Sequence, residues 1–135
     1  SVPVSFLLQV NGMAVNSGEL GAWLAAVANP QRMRILAELS SGQQHVSELA
    51  RRVGMSRALL YMHLAKLEEA GFVAGHHELS DDGKALKLFE VVPFRVTVTP
   101  ALLARAVAQS TKDEAAASDS AGANDSAAPQ ADDAS

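Results

Sequence analysis

Residues 46–73 read VSELARRVGMSRALLYMHLAKLEEAGFV and contain two short helical patterns that meet at a turn around Gly54. Ser56 is placed to cap the second helix, which ends before Gly71, a residue that can take the left-handed backbone conformation. Strand-like sequence follows. This order is typical of a helix-turn-helix module followed by a β-hairpin wing, so the stretch points to DNA.

The second helix of the pair has an apolar stripe and a face that lies off it. Leu60, Leu64 and Leu67 repeat at i, i+4 and i+7, so we expect them in the core. At ~1.5 Å per residue the helix is roughly 20 Å long, enough to lie in a major groove. A recognition helix contacts base edges chiefly with its N-terminal residues. The candidates for DNA contact here are Ser56, Arg57, Ala58, Tyr61, Met62 and Lys66.

Three more helices are predicted around the module. Ser17 can cap the first, Asn29 followed by Pro30 begins the second, and Thr99 followed by Pro100 begins the last, because proline at the first helical position costs no hydrogen bond. The last helix is expected to end near Thr111. Its apolar stripe needs a partner that the small remaining core does not supply, so a dimer is predicted.

The wing is predicted as two strands, 72–79 and 84–92, joined by a turn that ends in Asp-Gly. Cationic and imidazole side chains give the wing its candidates for phosphate contact: His76, His77, Lys84 and Lys87. The adjacent histidines point to opposite faces of a strand and cannot easily share one ion. In the first helix of the module, Arg51 and Arg52 are candidates for phosphate contact, and a solvated helix face is the equal alternative.

The net charge of −4 is unevenly distributed along the 135 residues. Residues 113–135 hold six of the 15 acids, no base, no aromatic residue and no Val, Ile or Leu, so they are predicted to form a disordered acidic tail. The remaining residues 1–112 carry 11 Lys and Arg against nine acids. The chain contains no cysteine, which excludes disulfides and thiolate chemistry.

The sequence therefore predicts three segments. Residues 1–16 form an arm that is flexible or makes a short extra hairpin at Asn11-Gly12, residues 17–112 form one domain for DNA binding and dimerisation, and residues 113–135 form the tail. The start of the chain lacks the basic region and the apolar run of a signal peptide or membrane span, so the protein is expected to be cytoplasmic. No motif of an enzyme active site is present.

The spacing of several motifs resembles the ArsR (ArsR/SmtB-like) family of winged helix-turn-helix regulators over about residues 17–112. The motifs are Asn29-Pro30-x-Arg32-x-x-Ile35-Leu36-x-x-Leu39, Val46-Ser47-Glu48-Leu49-Ala50, Met55-Ser56, His63-Leu64-x-x-Leu67 and Ala70-Gly71-Phe72-Val73. The resemblance implies a mainly α-helical fold, with five helices and a small β-hairpin between the fourth and the fifth. It also implies a homodimer that represses a palindromic operator until an effector releases it.

The resemblance further implies dimerisation through the first and last helices, which gives the candidates Leu20, Trp23, Leu24, Leu102, Leu103 and Val107. The family's thiolate metal sites need cysteines, and its Asp/His sites need acids and histidines on the last helix, where residues 101–111 have none. No metal site and no cofactor is therefore predicted, and His63 is interpreted as a packed or hydrogen-bonded structural residue. The alternatives left open are a winged-helix protein-interaction module and a regulator linked to a metal such as nickel or zinc that acts with a partner protein.

Overall fold

The computed structural model describes the backbone of residues 15–133 and the side chains of residues 15–119. The hairpin predicted at Asn11-Gly12 lies outside the described residues. The helices are α1 (Ser17–Val27), α2 (Pro30–Leu39), α3 (Val46–Val53), α4 (Arg57–Glu69) and α5 (Pro100–Asp133), and the strands are β1 (Gln44–His45), β2 (Val73–Leu79) and β3 (Ala85–Val91). The predicted winged helix-turn-helix fold is confirmed, with one short strand, β1, that the sequence did not indicate.

The helix starts follow from side-chain caps. The Asn29 carboxamide oxygen accepts hydrogen bonds from the backbone N–H groups of residues 31 and 32 at 2.9 and 3.1 Å, and Pro30 takes the first helical position, as predicted. The Ser56 hydroxyl caps α4, also as predicted. The prediction that Ser17 caps α1 is wrong by one residue. Asn16 is the cap, because Glu19 lies three residues after it and the two side chains bond each other's backbone N–H, which forms a capping box.

The main core lies between α2, α3, α4 and the inner face of the sheet. The predicted stripe on α4 is confirmed, since Leu60, Leu64 and Leu67 are all fully buried. They pack with residues of the other elements, among them Ile35, Leu39, Leu49, Val53, Phe72, Val73 and Phe89. Deep burial of one whole stripe fixes which side of α4 remains in solvent.

Strands β1, β3 and β2 form, in that order, a three-stranded antiparallel sheet. The wing consists of β2 and β3. The long β2–β3 pair runs from Val73 opposite Val91 to Leu79 opposite Ala85. Gly83 closes the turn with φ of 85°, a conformation that favours glycine. Strand β1 anchors the base of the wing to the helix-turn-helix module, because it leads directly into α3.

A second, smaller cluster joins α1 to α5. Leu20 is buried against Leu102 and Ala106. Farther along α5, Asp113 accepts a hydrogen bond from the Asn16 side chain at 2.7 Å. Asp113 was predicted to begin the tail, and it contacts the residue that caps α1.

Helix α5 does not end near Thr111 as predicted, but continues through the acidic segment to Asp133. Alanine is abundant in that segment and has the highest helix propensity, which accounts for the continuation. Residues 111–119 are all exposed, so this part of α5 has no packed face. The disorder of residues 113–135 and the division of the chain at residue 113 stay predictions.

Candidate nucleic-acid interface

One half of the α4 surface faces solvent and carries the residues predicted to contact bases. Residues Arg57, Ala58 and Lys66 are exposed, and the side chains of Tyr61 and Met62 are 45% and 51% exposed. At 100° per residue these positions fall within one arc of about 180°, opposite the leucine stripe. The structure therefore brings this part of the predicted set together on one face, with a cation near each end.

A buried polar network fixes α4 against α1 and α2. His63 is only 3% exposed, and its Nδ1 accepts a hydrogen bond from Arg32 Nε at 3.1 Å. The His63 Nε2 atom lies 2.9 Å from Gln31 Oε1. Arg32 Nη1 also donates to the carbonyl of Ala26, near the end of α1, at 3.3 Å. The interpretation of His63 as a hydrogen-bonded structural residue agrees with this geometry.

The network determines the protonation state of His63. A guanidinium can only donate, so Nδ1 must be unprotonated and Nε2 must carry the proton that it donates to Gln31. Burial, reinforced by the positive charge of Arg32, lowers the pKa of His63 below its ordinary value of 6.5. The imidazole is therefore neutral at pH 7. Sequence reasoning did not identify Arg32 and Gln31 as its partners, because the contact joins positions about 30 residues apart.

Arg51 and Arg52, the candidates for phosphate contact on α3, are held by carboxylates. Both arginines bond Glu48, with Arg52 Nε 2.9 Å from Glu48 Oε2, and Arg52 Nη1 also lies 3.2 Å from Glu38 Oε2. Hydrogen bonds from Arg51 and then Arg52 lower the pKa of Glu48 to about 2. The spacing of three and four residues from Glu48 was a sequence signal for these pairs. Phosphate contact by the two arginines stays a prediction.

The wing residues divide between the two faces of the hairpin. His77 lies opposite Lys87 in the β2–β3 register, on the same face as Phe89, and Lys87 Nζ is 5.3 Å from the centroid of the Phe89 ring. His76 lies opposite Leu88 on the other face, where His45 of β1 is the next neighbour. The prediction that the adjacent histidines point apart agrees with this register.

The tip of the wing is acidic. Asp81 and Asp82 occupy the turn and are exposed, and Lys84 is the first cation after them. The Ser80 hydroxyl bonds the carboxylate of Asp82, which lowers the pKa of that carboxyl. Two negative charges at the tip would repel phosphate, so the flank of the wing is better suited than its tip to approach DNA.

The six candidates for dimerisation differ in exposure. Leu20 and Leu102 are already buried against each other within the chain. The Trp23 ring packs on Phe72 and Phe94 with centroid distances of 4.5 and 5.8 Å, and Leu24 is half-buried. By contrast, Leu103 and Val107 are 45% and 57% exposed on α5. These two positions are the open part of the predicted dimer surface.

The described residues contain neither a cluster of metal-ligand side chains nor a helix that could span a membrane. Within residues 15–119 no group of three or more His, Asp or Glu side chains is arranged to hold a metal ion. None of the helices in the described part of the chain is both long and apolar enough to span a membrane.

Comparison with known proteins gives consistent similarities. The family model described as bacterial regulatory protein, arsR family, matches residues 29–74. An uncharacterized HTH-type transcriptional regulator of Methanocaldococcus jannaschii is 33% identical over 70 residues, which cover 52% of this chain and 73% of the relative. Reduced HlyU from Vibrio cholerae is a similar solved structure, with 26% identity, a TM-score of 0.49 and coverage of 65% of this chain and 81% of that one. A homodimeric winged helix-turn-helix DNA-binding domain from Mycobacterium bovis has 21% identity and a TM-score of 0.47, with coverage of 72% and 81%.

Proposed function

The chain belongs to the ArsR family of winged helix-turn-helix DNA-binding transcriptional regulators, and on that premise we propose that it is a homodimeric repressor of a palindromic operator. Regulators of transcription are not enzymes, and the proposed ligand is double-stranded DNA. The site of action of such a regulator is the compartment that contains the DNA, which we propose is the cytoplasm.

The observation that carries the proposal is the exposed half of α4. Five side chains project from one face into solvent: Arg57, Ala58, Tyr61, Met62 and Lys66. On the opposite face, Leu60, Leu64, Leu67 and His63 hold the helix against the rest of the domain. A rigid helix with an open face of about three turns fits the width of a major groove. We propose that α4 enters the groove with its N-terminal end, where Ser56 and Arg57 lie.

Each part of the surface has a proposed role. On α4 the base-reading and phosphate-contacting residues are Ser56, Arg57, Ala58, Tyr61, Met62 and Lys66. Arg51 and Arg52 contact phosphate from α3 once their bonds to Glu48 are exchanged for bonds to DNA. On the wing, His77 and Lys87 approach the minor groove or backbone from one flank, and Lys84 contacts it from the end of the turn. His76 lies on the opposite face, so it contacts DNA only where the duplex wraps around the hairpin.

The dimer is proposed to form through α1 and α5. Leu103 and Val107 supply the exposed apolar surface, and Leu20, Trp23, Leu24 and Leu102 form the layer beneath it. A dimer would place two copies of α4 on successive major grooves, about 34 Å apart along the duplex. Sedimentation equilibrium should give a dimer for the wild type and a monomer for Val107→Glu. A wild-type monomer at micromolar concentration would contradict this part of the proposal.

The DNA-binding role is tested by titrating duplexes that carry palindromes from the neighbourhood of the protein's own gene, at several salt concentrations. We expect one palindrome to bind with an affinity that falls steeply as salt rises, because phosphate contacts release counterions. Arg57→Ala should cost about 1–3 kcal/mol of operator binding. Arg34→Ala is the matched control, since Arg34 is exposed on α2, outside both proposed surfaces. Equal affinity of the two variants would refute the assignment of α4 as the reading helix.

A specific complex is also what separates a regulator from a winged-helix protein-interaction module. A module of that class would bind DNA weakly and without preference for any palindrome at every salt concentration tested. That outcome would overturn the proposed function.

A further inference from the structure

The exposed half of α4 has an unusual chemical composition for a surface proposed to read bases. Between residues 57 and 66 the exposed side chains are Arg57, Ala58, Tyr61, Met62, Ala65 and Lys66. This stretch contains no Asn, Gln, Asp or Glu. His63, which lies in the same stretch, is buried and engaged with Arg32 and Gln31.

The missing side-chain types limit what residues 57–66 of α4 can read in a major groove. Adenine is recognised chiefly by Asn or Gln, and the amino group of cytosine by Asp or Glu. Apart from the Tyr61 hydroxyl, two kinds of contact remain for residues 57–66. Arg57 and Lys66 can donate to guanine or to phosphate, and apolar side chains can contact the 5-methyl group of thymine.

Tyr61 and Met62 are the residues of α4 best placed to make the apolar contact. They are adjacent, large and about half exposed, and together with Ala58 they form an apolar patch between the two cations. An apolar patch bounded by positive charges fits an anionic partner that itself presents apolar groups. A duplex whose groove carries thymine methyl groups meets both conditions, whereas an apolar protein surface would leave the cations unmatched.

We propose that Tyr61 and Met62 are specificity-determining residues that select thymine, by its 5-methyl group, at one or two positions of each operator half-site. This inference rests on the proposed function, since it names the feature of the DNA that α4 reads. Guanine recognition by Arg57 would lie next to the selected thymine on the side of the helix N-terminus.

The experiment uses a duplex selected from a random library by the full-length protein. Each thymine of the selected half-site is replaced in turn by deoxyuridine, which keeps base pairing and removes only the methyl group. We expect a loss of affinity of roughly fourfold per contacted methyl group, the value for exposing one group of that size. Positions outside the α4 footprint should show no loss.

Substitutions at positions 62 and 61 test which side chain contacts the thymine methyl group. Met62→Ala should bind the thymine operator more weakly and should no longer distinguish it from the deoxyuridine operator. Met33→Ala is the matched control, because Met33 has the same 51% exposure but lies on α2. It should keep the full discrimination. Tyr61→Phe should also keep it, since the proposed contact uses the ring and not the hydroxyl.

The possible failures are distinguishable. Salt-dependent binding of one selected sequence with no effect of any deoxyuridine would overturn the inference and leave the proposed function standing. A selected half-site without thymine would do the same. Failure to select any sequence would overturn the proposed function, and the inference with it.

Discussion

Replacing His63 by glutamine is expected to remove an acid-sensitive part of the protein's stability. The buried imidazole accepts a hydrogen bond from Arg32 at Nδ1 and donates one to Gln31 from Nε2. Protonation would place a second donor against the guanidinium and two positive charges in contact. Burial, and then this repulsion by Arg32, lowers the pKa of His63 below 6.5 in the folded chain. Glutamine can offer an oxygen to Arg32 and does not titrate.

The size and sign of the effect follow from proton linkage. The unfolded chain takes up the His63 proton near pH 6.5, and the folded chain takes it up only at lower pH. The stabilising contribution of the neutral imidazole is therefore complete above pH 6.5 and is lost as the pH falls towards the folded pKa. At most one proton separates the two states, so the free energy of unfolding falls by no more than about 1.4 kcal/mol per pH unit. Between pH 7.5 and 5.5 the loss from His63 is at most about 1.4 kcal/mol, because only the last unit lies below 6.5.

Urea denaturation at pH 7.5 and 5.5, at one protein concentration, measures this difference. His77→Gln is the matched control, since His77 is exposed on the wing. The wild type and His77→Gln should lose more stability on acidification than His63→Gln does. The carboxylates titrate alike in the three proteins, so their contribution cancels in the comparison. The same pH dependence in all three would refute the neutral, buried imidazole.

Two further predictions concern the arginine network and the wing. Glu48→Gln should raise the affinity for non-specific duplex DNA, because it frees Arg51 and Arg52. Glu114→Gln removes the same charge from the exposed part of α5 and should raise that affinity less. Equal gains in the two variants would mean that only the net charge matters. Gly75→Ala should destabilise the protein by about 1–3 kcal/mol in thermal or urea unfolding, since its Cβ would lie 2.7 Å from the buried Phe89 ring. Gly21→Ala, on an open face of α1, should instead stabilise by about 0.5–1 kcal/mol, and a stabilising Gly75→Ala would contradict the packing of the wing.

The sequence predicted the parts of the fold that depend on local chemistry. Caps at Asn29 and Ser56 and the leucine stripe on α4 are properties of neighbouring residues, and each is found as expected. The strand β1 was not predicted, because two residues carry no periodicity and pair only once β3 is in place. The end of α5 was placed too early, near Thr111, because the apolar stripe stops there while the alanine-rich sequence beyond it still favours a helix.

The candidate site was less predictable than the fold, because part of it depends on contacts between segments that are distant in the sequence. Exposure of Tyr61 and Met62 follows from their angle to the leucine stripe, which the sequence contains. The hydrogen bond between Arg32 and His63 does not follow from the sequence pattern, because it depends on how α2 crosses α4. The partition of the wing histidines between two faces follows from strand alternation alone, but their neighbours, Lys87 for His77 and Leu88 for His76, depend on the register.

The ion pairs on α3 affect how strongly the protein can bind DNA without reading it. Arg51 and Arg52 are engaged by Glu48 and Glu38. Four cations on α4 and the wing lie outside that network: Arg57, Lys66, Lys84 and Lys87. If each neutralises one phosphate in each protomer of a dimer, the logarithm of the binding constant should fall with the logarithm of salt with a slope of about −7. If the two arginines also leave their carboxylates for phosphate, the slope should be about −11. We expect the shallower slope on random DNA and the steeper one on the operator, because only the operator supplies base contacts that offset the loss of the Glu48 bonds. Equal slopes on both kinds of DNA would show that the network plays no part in discrimination.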